Sequence, residues 1–95
     1  MDRDGRTWTF LTNHGHVMIY LARHPDARVR DIAAAVGITE RATVAILGDL
    51  VDGGYVDRKR VGRRNSYEVR VNAALRHPEE SDHRIGEILD VFRQM

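Results

Sequence analysis

Arginine is the residue type best placed to do chemistry in this sequence, because arginines are concentrated in one short stretch. Six of the fifteen basic residues lie between Arg58 and Arg70, where the only acid is Glu68. The whole chain has a formal net charge of +1, so the positive charge is local. Guanidinium groups displace counterions from phosphates, and the stretch therefore predicts contact with a phosphate backbone. The alternative for the same stretch is a solvated hairpin that binds no partner.

Catalysis and metal binding have weaker support. No serine, histidine and acid stand around a glycine-framed turn, and no phosphate-binding loop is present, so we expect no enzyme and no cofactor. The histidines raise the question of a metal site; they are His14, His16, His24, His77 and His83. His83 and Glu87 have the i,i+4 spacing of two ligands on one helix face, which makes half a site. Because no second pair of ligands accompanies them, we expect surface histidines and no metal.

Three helical patterns precede the basic stretch. Residues 12–23 have apolar side chains at helical spacing, and Asn13 is a suitable N-cap. Residues 29–36 form the second pattern, which ends at Gly37 because glycine readily adopts the positive φ of a helix C-cap. The short turn after Gly37 leads into the third pattern.

The third pattern, residues 40–52, predicts a helix with one buried face and one face that is accessible to a partner. Thr39 is placed to cap it, and Gly53 with Gly54 stops it. Its inward face has the i, i+3, i+4, i+7 spacing of a buried stripe and consists of Thr43, Ile46, Leu47 and Leu50. The outward face then carries Glu40, Arg41, Val44, Ala45 and Gly48.

Two strand-like segments and a last helix complete the chain. Residues 55–61 and 66–71 are strand-like, and the sequence GRRN between them predicts a four-residue hairpin loop. Residues 82–92 predict a helix whose apolar side chains form one stripe, namely Ile85, Ile88, Leu89 and Phe92. The arginine stretch therefore lies on a hairpin that directly follows the third helix.

This order of elements is that of a helix-turn-helix followed by a wing. The stretch VRDIAAAVGITERATVAILGDLVDGGYVDRKRVGRRNSYEV resembles the winged-helix transcriptional regulators of the MarR/ArsR type. DIAAAVGI is similar to their second helix and turn, and LGDLVDGGYVDRKRVGRRNSYEV to the end of their recognition helix and their wing. The resemblance covers about residues 12–71. It implies a mainly α fold with a small β-hairpin, in which a three-helix core carries a two-stranded wing and a C-terminal dimerisation helix.

The resemblance also implies a function, namely a transcriptional regulator that binds double-stranded DNA. The third helix would enter the major groove and the wing would contact the phosphate backbone. The residues expected to contact DNA are Arg28, Arg30, Thr39, Glu40, Arg41, Val44, Ala45, Arg58, Arg60, Arg63, Arg64 and Asn65. Neither the residues nor the resemblance identify a target sequence or a small-molecule effector.

One departure from the family pattern favours an alternative function. Members of the family usually place serine, glutamine or arginine near the positions of Val44 and Ala45, where polar groups bond to base edges. Here Arg41 is the one strong reader of bases on the outward face. The alternative is a winged helix that serves as a protein-interaction or scaffold module, with weak or no specific DNA binding.

Apolar residues at both ends of the chain predict a homodimer. They are Trp8, Phe10 and Leu11 near the start and Ile85, Ile88, Leu89 and Phe92 on the last helix. Exposed together they would form a large apolar patch, which a two-fold partner can cover. In the alternatives, Trp8 and Phe10 line an effector pocket, or the last helix folds back over the first and the chain is a monomer. The expected layout is an N-terminal arm (1–11), the winged helix (12–71), and a connector with a dimerisation helix (72–95).

Composition places few further limits on the chain. Its 95 residues, 42% of them hydrophobic, predict one small domain without disulfides, since there is no cysteine. The start, MDRDGRTWTF, has charges where a signal peptide needs an apolar core. No apolar run approaches the roughly 18 residues of a membrane span. We therefore expect a cytoplasmic protein with no membrane partner.

Overall fold

The computed structural model describes residues 8–93 of the chain. Its elements, in chain order, are α1 (Asn13–Arg23), α2 (Val29–Val36), α3 (Glu40–Asp52), β1 (Val56–Val61), β2 (Arg64–Val69) and α4 (Ile85–Arg93). The two strands form one antiparallel sheet. The predicted fold class, mainly α with a small β-hairpin, is confirmed.

Helix α1 is the central element of the core. It packs against α2, α3, α4 and β2, and its buried side chains are Val17, Met18 and Leu21. Its N-cap is Thr12 and not Asn13 as predicted: the Thr12 hydroxyl accepts a hydrogen bond from the backbone N–H of Gly15 at 3.3 Å. A cap must lie outside the helix with an extended backbone, and that conformation is found at Thr12.

The bounds predicted for α2 and α3 are confirmed. Gly37 has φ of 86° and ends α2 in the left-handed conformation, which a residue with a Cβ adopts only at a cost. Thr39 caps α3, because its hydroxyl accepts a hydrogen bond from the N–H of Ala42 at 3.0 Å. The predicted inward face of α3 is buried throughout, and it consists of Thr43, Ile46, Leu47 and Leu50. The opposite face of α3 is therefore directed away from the core.

The hairpin turns more tightly than predicted. Its loop has two residues, Gly62 and Arg63, and not four, because Arg64 and Asn65 pair with β1 as the first residues of β2. Gly62 has φ of 62°, the positive value that the preferred two-residue hairpin turns need at their first position. Strand β2 ends at Val69, two residues earlier than predicted.

Helix α4 begins at Ile85, three residues later than predicted, because Asp82 and His83 lie in a turn and a bend and Arg84 forms a backbone bridge. Ala74 and Arg84 form an antiparallel bridge, and the N–H of Ile85 donates to the carbonyl of Ala73 at 2.8 Å. The carboxylate of Glu87 then accepts the N–H of Arg84 at 2.7 Å, which stabilises the first turn. These contacts fasten α4 to the segment that follows the wing.

The apolar stripe of α4 is not free for a partner in the way the sequence predicts. Leu89 is only 1% exposed and belongs to the core, and Ile85 packs against that core. Leu89 therefore offers almost no surface to a partner, since it is buried where α4 packs against α1 of the same chain. The dimer interface itself stays a prediction. Ile88 and Phe92 are half-buried. Of the N-terminal residues, Trp8 is 68% and Phe10 is 93% exposed.

Candidate nucleic-acid interface

The outer part of the hairpin, residues 58–64, holds most of the basic charge. It carries five basic residues and no acid, namely Arg58, Lys59, Arg60, Arg63 and Arg64, and all of them are exposed. We call these residues the outer wing. Residues paired across two antiparallel strands share a face, so Arg58 and Arg60 lie on the side of Tyr67 and Asn65. Lys59 and Arg64 lie on the other side, so both faces of the hairpin are positively charged.

The sixth basic residue of the stretch, Arg70, is compensated at the base of the hairpin. Its Nε lies 2.9 Å from Oδ2 of Asp57 and 3.0 Å from Oδ1, and both side chains are partly exposed. Glu68 pairs with Asp57 across the strands and adds a second acid on that face. Within the described hairpin, the positive charge without an acidic partner is therefore confined to the outer wing.

Arg64 also fixes the position of the hairpin. Its Nη2 donates to the backbone carbonyl of Asp26, in the turn between α1 and α2, at 2.6 Å. Arg60 donates from Nε to the carbonyl of Gly62 at 3.2 Å, which braces the tip. A guanidinium has five N–H donors, so both arginines retain donors for a phosphate.

The start of α2 lies beside the second strand of the hairpin. A groove of about 150 Å³ separates them and is lined by Ala27, Arg28, Val29, Arg64, Asn65 and Tyr67. The structure therefore brings three of the predicted contact residues, Arg28, Arg64 and Asn65, to one place. Arg30, two residues after Arg28, is exposed in the first turn of α2.

The outward face of α3 is accessible, as the sequence predicts. Glu40, Arg41, Val44 and Ala45 are all exposed. Thr39 is exposed too, but its hydroxyl is engaged as the helix cap. Within residues 8–93, no side-chain hydrogen bond or ion pair joins this face to the outer wing. The hairpin follows α3 through the connecting residues Gly53, Gly54 and Tyr55.

Two features were not anticipated from the sequence. The carbonyl of Asp26 receives Arg64, and a backbone acceptor leaves no signal in residue type. A cavity of about 450 Å³ lies between α1, the end of α3 and the start of α4, with Met18, Leu50 and Tyr55 among its walls. At its edge Nε2 of His14 lies 2.8 Å from Oδ2 of Asp49. These residues are 35 positions apart, so no local pattern relates them.

The His83–Glu87 pair is present, but it does not extend to a metal centre. Nδ1 of His83 lies 2.6 Å from Oε1 of Glu87. This hydrogen bond raises the pKa of the His83 imidazole and lowers the pKa of the Glu87 carboxyl. Among residues 8–93 no three histidine, cysteine or acidic residues are grouped so that they can hold a metal ion.

The described helices are also too short or too polar to cross a membrane.

Comparison with known proteins agrees with this architecture. The family model for the MarR family matches residues 9–64, which is more than half of the chain. The match runs from before α1, through all of α2, α3 and β1, to the first residue of β2. Comparison with curated proteins gave no match. The chain therefore belongs to the MarR family of winged-helix, DNA-binding transcriptional regulators.

Proposed function

We propose that this chain binds double-stranded DNA with α3 in the major groove and the outer wing on the phosphate backbone. The observation that carries the proposal is the outer wing, with its five exposed basic residues and no acid. In an acid-balanced hairpin each arginine would find an internal partner, as Arg70 does in Asp57. The outer wing lacks such acids, and DNA phosphates are the polyanion that this family contacts.

In this proposal, one set of residues contacts the phosphates and another contacts the bases. Arg63 and Arg64 at the tip, with Arg28 beside the groove, would position the protein without reading sequence. Arg41 would be the chief reader of bases, because an exposed arginine in the first turn of α3 can bond in bidentate fashion to guanine. Arg30, Arg58, Arg60 and Asn65 would add backbone contacts.

We further propose that the chain acts as a homodimer, through a surface smaller than the sequence predicts. With Leu89 in the core, the remaining surface is the exposed Trp8–Phe10 pair and the groove next to it. Trp8 and Phe10 meet edge to face, with ring centroids 5.3 Å apart. The groove, of about 430 Å³, has Leu11 and Phe92 on its walls. Since it contains residues from both predicted halves of the interface, a second copy can cover both together.

A salt titration on arbitrary duplex DNA tests the proposed function. We expect measurable binding at low salt and an affinity that falls steeply, with a log–log slope of about −0.9 for each neutralised phosphate. Fluorescence anisotropy of a labelled duplex measures both quantities. Binding that is weak at every salt concentration would instead support the protein-interaction module. One observation favours that second function, namely the exposed, apolar Val44 on the outward face of α3.

A further inference from the structure

The middle of the outward face of α3 is apolar. Val44 is 56% exposed, and Ala45 beside it is exposed as well. Arg41 lies one turn before Val44, and Gly48 lies one turn after it. A Cβ added at Gly48 would meet no atom within 4 Å, so the surface next to Val44 is open. The four residues form one stripe at helical spacing, with a single hydrogen-bonding side chain at its start.

Packing does not account for Val44. The core is filled from the opposite side of α3 by Ile46, Leu47 and Leu50, and Val44 is not among the apolar side chains that pack against it. A β-branched side chain also favours a helix less than alanine does. Valine at this position therefore contributes nothing evident to the fold, and its apolar surface is available for contact.

The chemistry of the major groove identifies a matching group. Base edges there present hydrogen-bond donors and acceptors, together with one apolar group, the C5 methyl of thymine. Valine and alanine side chains have no donor or acceptor, so they cannot satisfy guanine, cytosine or adenine edges. They can pack against a methyl group, and this contact removes apolar surface of both the side chain and the base from water.

We propose that Val44 and Ala45 select thymine by packing against its C5 methyl group. This rests on the proposed function, because it requires α3 to lie in the major groove. Three residues of helix rise about 4.5 Å and base pairs stack about 3.4 Å apart, so Arg41 reaches a base one or two pairs away. The preferred site is then a guanine read by Arg41 with a thymine one or two base pairs from it.

Removal of single methyl groups from the DNA tests this inference. The preferred duplex is first selected from a random pool, and each thymine is then replaced by deoxyuridine, which lacks only the C5 methyl. We expect one or two positions at which uracil weakens binding about fourfold, which is about 0.8 kcal/mol for one buried carbon. V44A removes two of the three side-chain carbons, so the difference between the thymine and uracil duplexes should shrink at one of these positions. V91A, the same change at a valine on α4 that is 63% exposed, should retain the fourfold difference.

A C5 methyl group can belong to thymine or to 5-methylcytosine. Duplexes with cytosine or 5-methylcytosine at the sensitive position distinguish these two sources. We expect the protein to bind the 5-methylcytosine duplex more tightly than the cytosine duplex, because the methyl group is restored. It should not bind the 5-methylcytosine duplex more tightly than the thymine duplex. Tighter binding of the 5-methylcytosine duplex than of the thymine duplex would make methylated DNA the target and overturn the assignment. If V44A does not fold, the wild-type measurements alone decide the question.

Failure of this inference differs from failure of the proposed function. Uracil duplexes that all bind like their thymine counterparts, with normal salt dependence, would overturn the methyl contact and leave DNA binding intact. That result is also the one expected if the apolar face docks a protein. Absence of salt-dependent binding to any duplex would overturn both.

Discussion

Arg63 and Arg64 are neighbours in the sequence but have different surroundings. Arg63 lies in the two-residue turn, whereas Arg64 donates to the carbonyl of Asp26. We expect R63A to weaken binding to all duplexes about equally and to reduce the magnitude of the salt slope by about 0.9, with unchanged stability. R64A should lower both the slope and the free energy of unfolding, the latter by about 1 kcal/mol. Anisotropy titrations and urea unfolding measure the two effects.

A matched control for the wing arginines is R93A. Arg93 is an exposed arginine on α4, away from the hairpin, and it faces Asp90 at 3.4 Å. This change removes the same charge from the chain, so it should leave the salt slope unchanged. If R93A and R63A reduce binding alike, overall charge and not the wing governs affinity.

The titration of His83 makes stability depend on pH. Because the folded-state pKa of His83 is raised above 6.5, its contribution is present below pH 6.5 and is lost as the pH rises through the folded value. The pKa of Glu87 is lowered from 4.5, so its contribution is lost as the pH falls through that lower value. We expect the Tm of the wild type to fall between about pH 5.5 and about pH 8 by more than that of H83Q. Parallel pH profiles for the two proteins would contradict this.

At the scale of elements, α4 is part of the protomer and not an appendage. Leu89 is buried beside α1, and the backbone of the segment 73–75 holds the start of the helix. We expect L89A to lower the free energy of unfolding by about 2–5 kcal/mol, as for other buried leucines. Urea unfolding at two protein concentrations measures this. If L89A lowered the free energy of unfolding more at the lower protein concentration, Leu89 would instead contribute to a subunit interface.

At the scale of the whole molecule, we propose that the Trp8–Phe10 pair and the adjacent groove form the dimer interface. We expect a dimer mass in sedimentation equilibrium at micromolar concentration. F10D should shift it towards the monomer, because it places a charge in the covered surface. V44D is the matched control, an equally drastic change at an exposed residue on the outward face of α3, and should remain dimeric. A monomer mass for the wild type would contradict the proposed dimer.

Local physical chemistry was sufficient for the helices that carry the candidate interface. Gly37 and Thr39 set the end of α2 and the start of α3, and the burial of α3 follows from its i, i+3, i+4, i+7 spacing. Periodicity and capping depend on residues within a few positions of one another, so they can be read from the chain alone. The basic hairpin was predictable for the same reason, whereas the family was predicted from the resemblance of residues 29–69 to MarR/ArsR-type regulators.

Only the tertiary structure decided how these elements are joined. The late start of α4 depends on pairing with residues 73–75, and the burial of Leu89 depends on the space beside α1. Arg64 bonds to Asp26, 38 positions away, through a carbonyl that every residue possesses. Such contacts are set by the geometry of distant segments and not by local residue types. They determine which arginines brace the hairpin and which apolar residues of α4 remain for a partner.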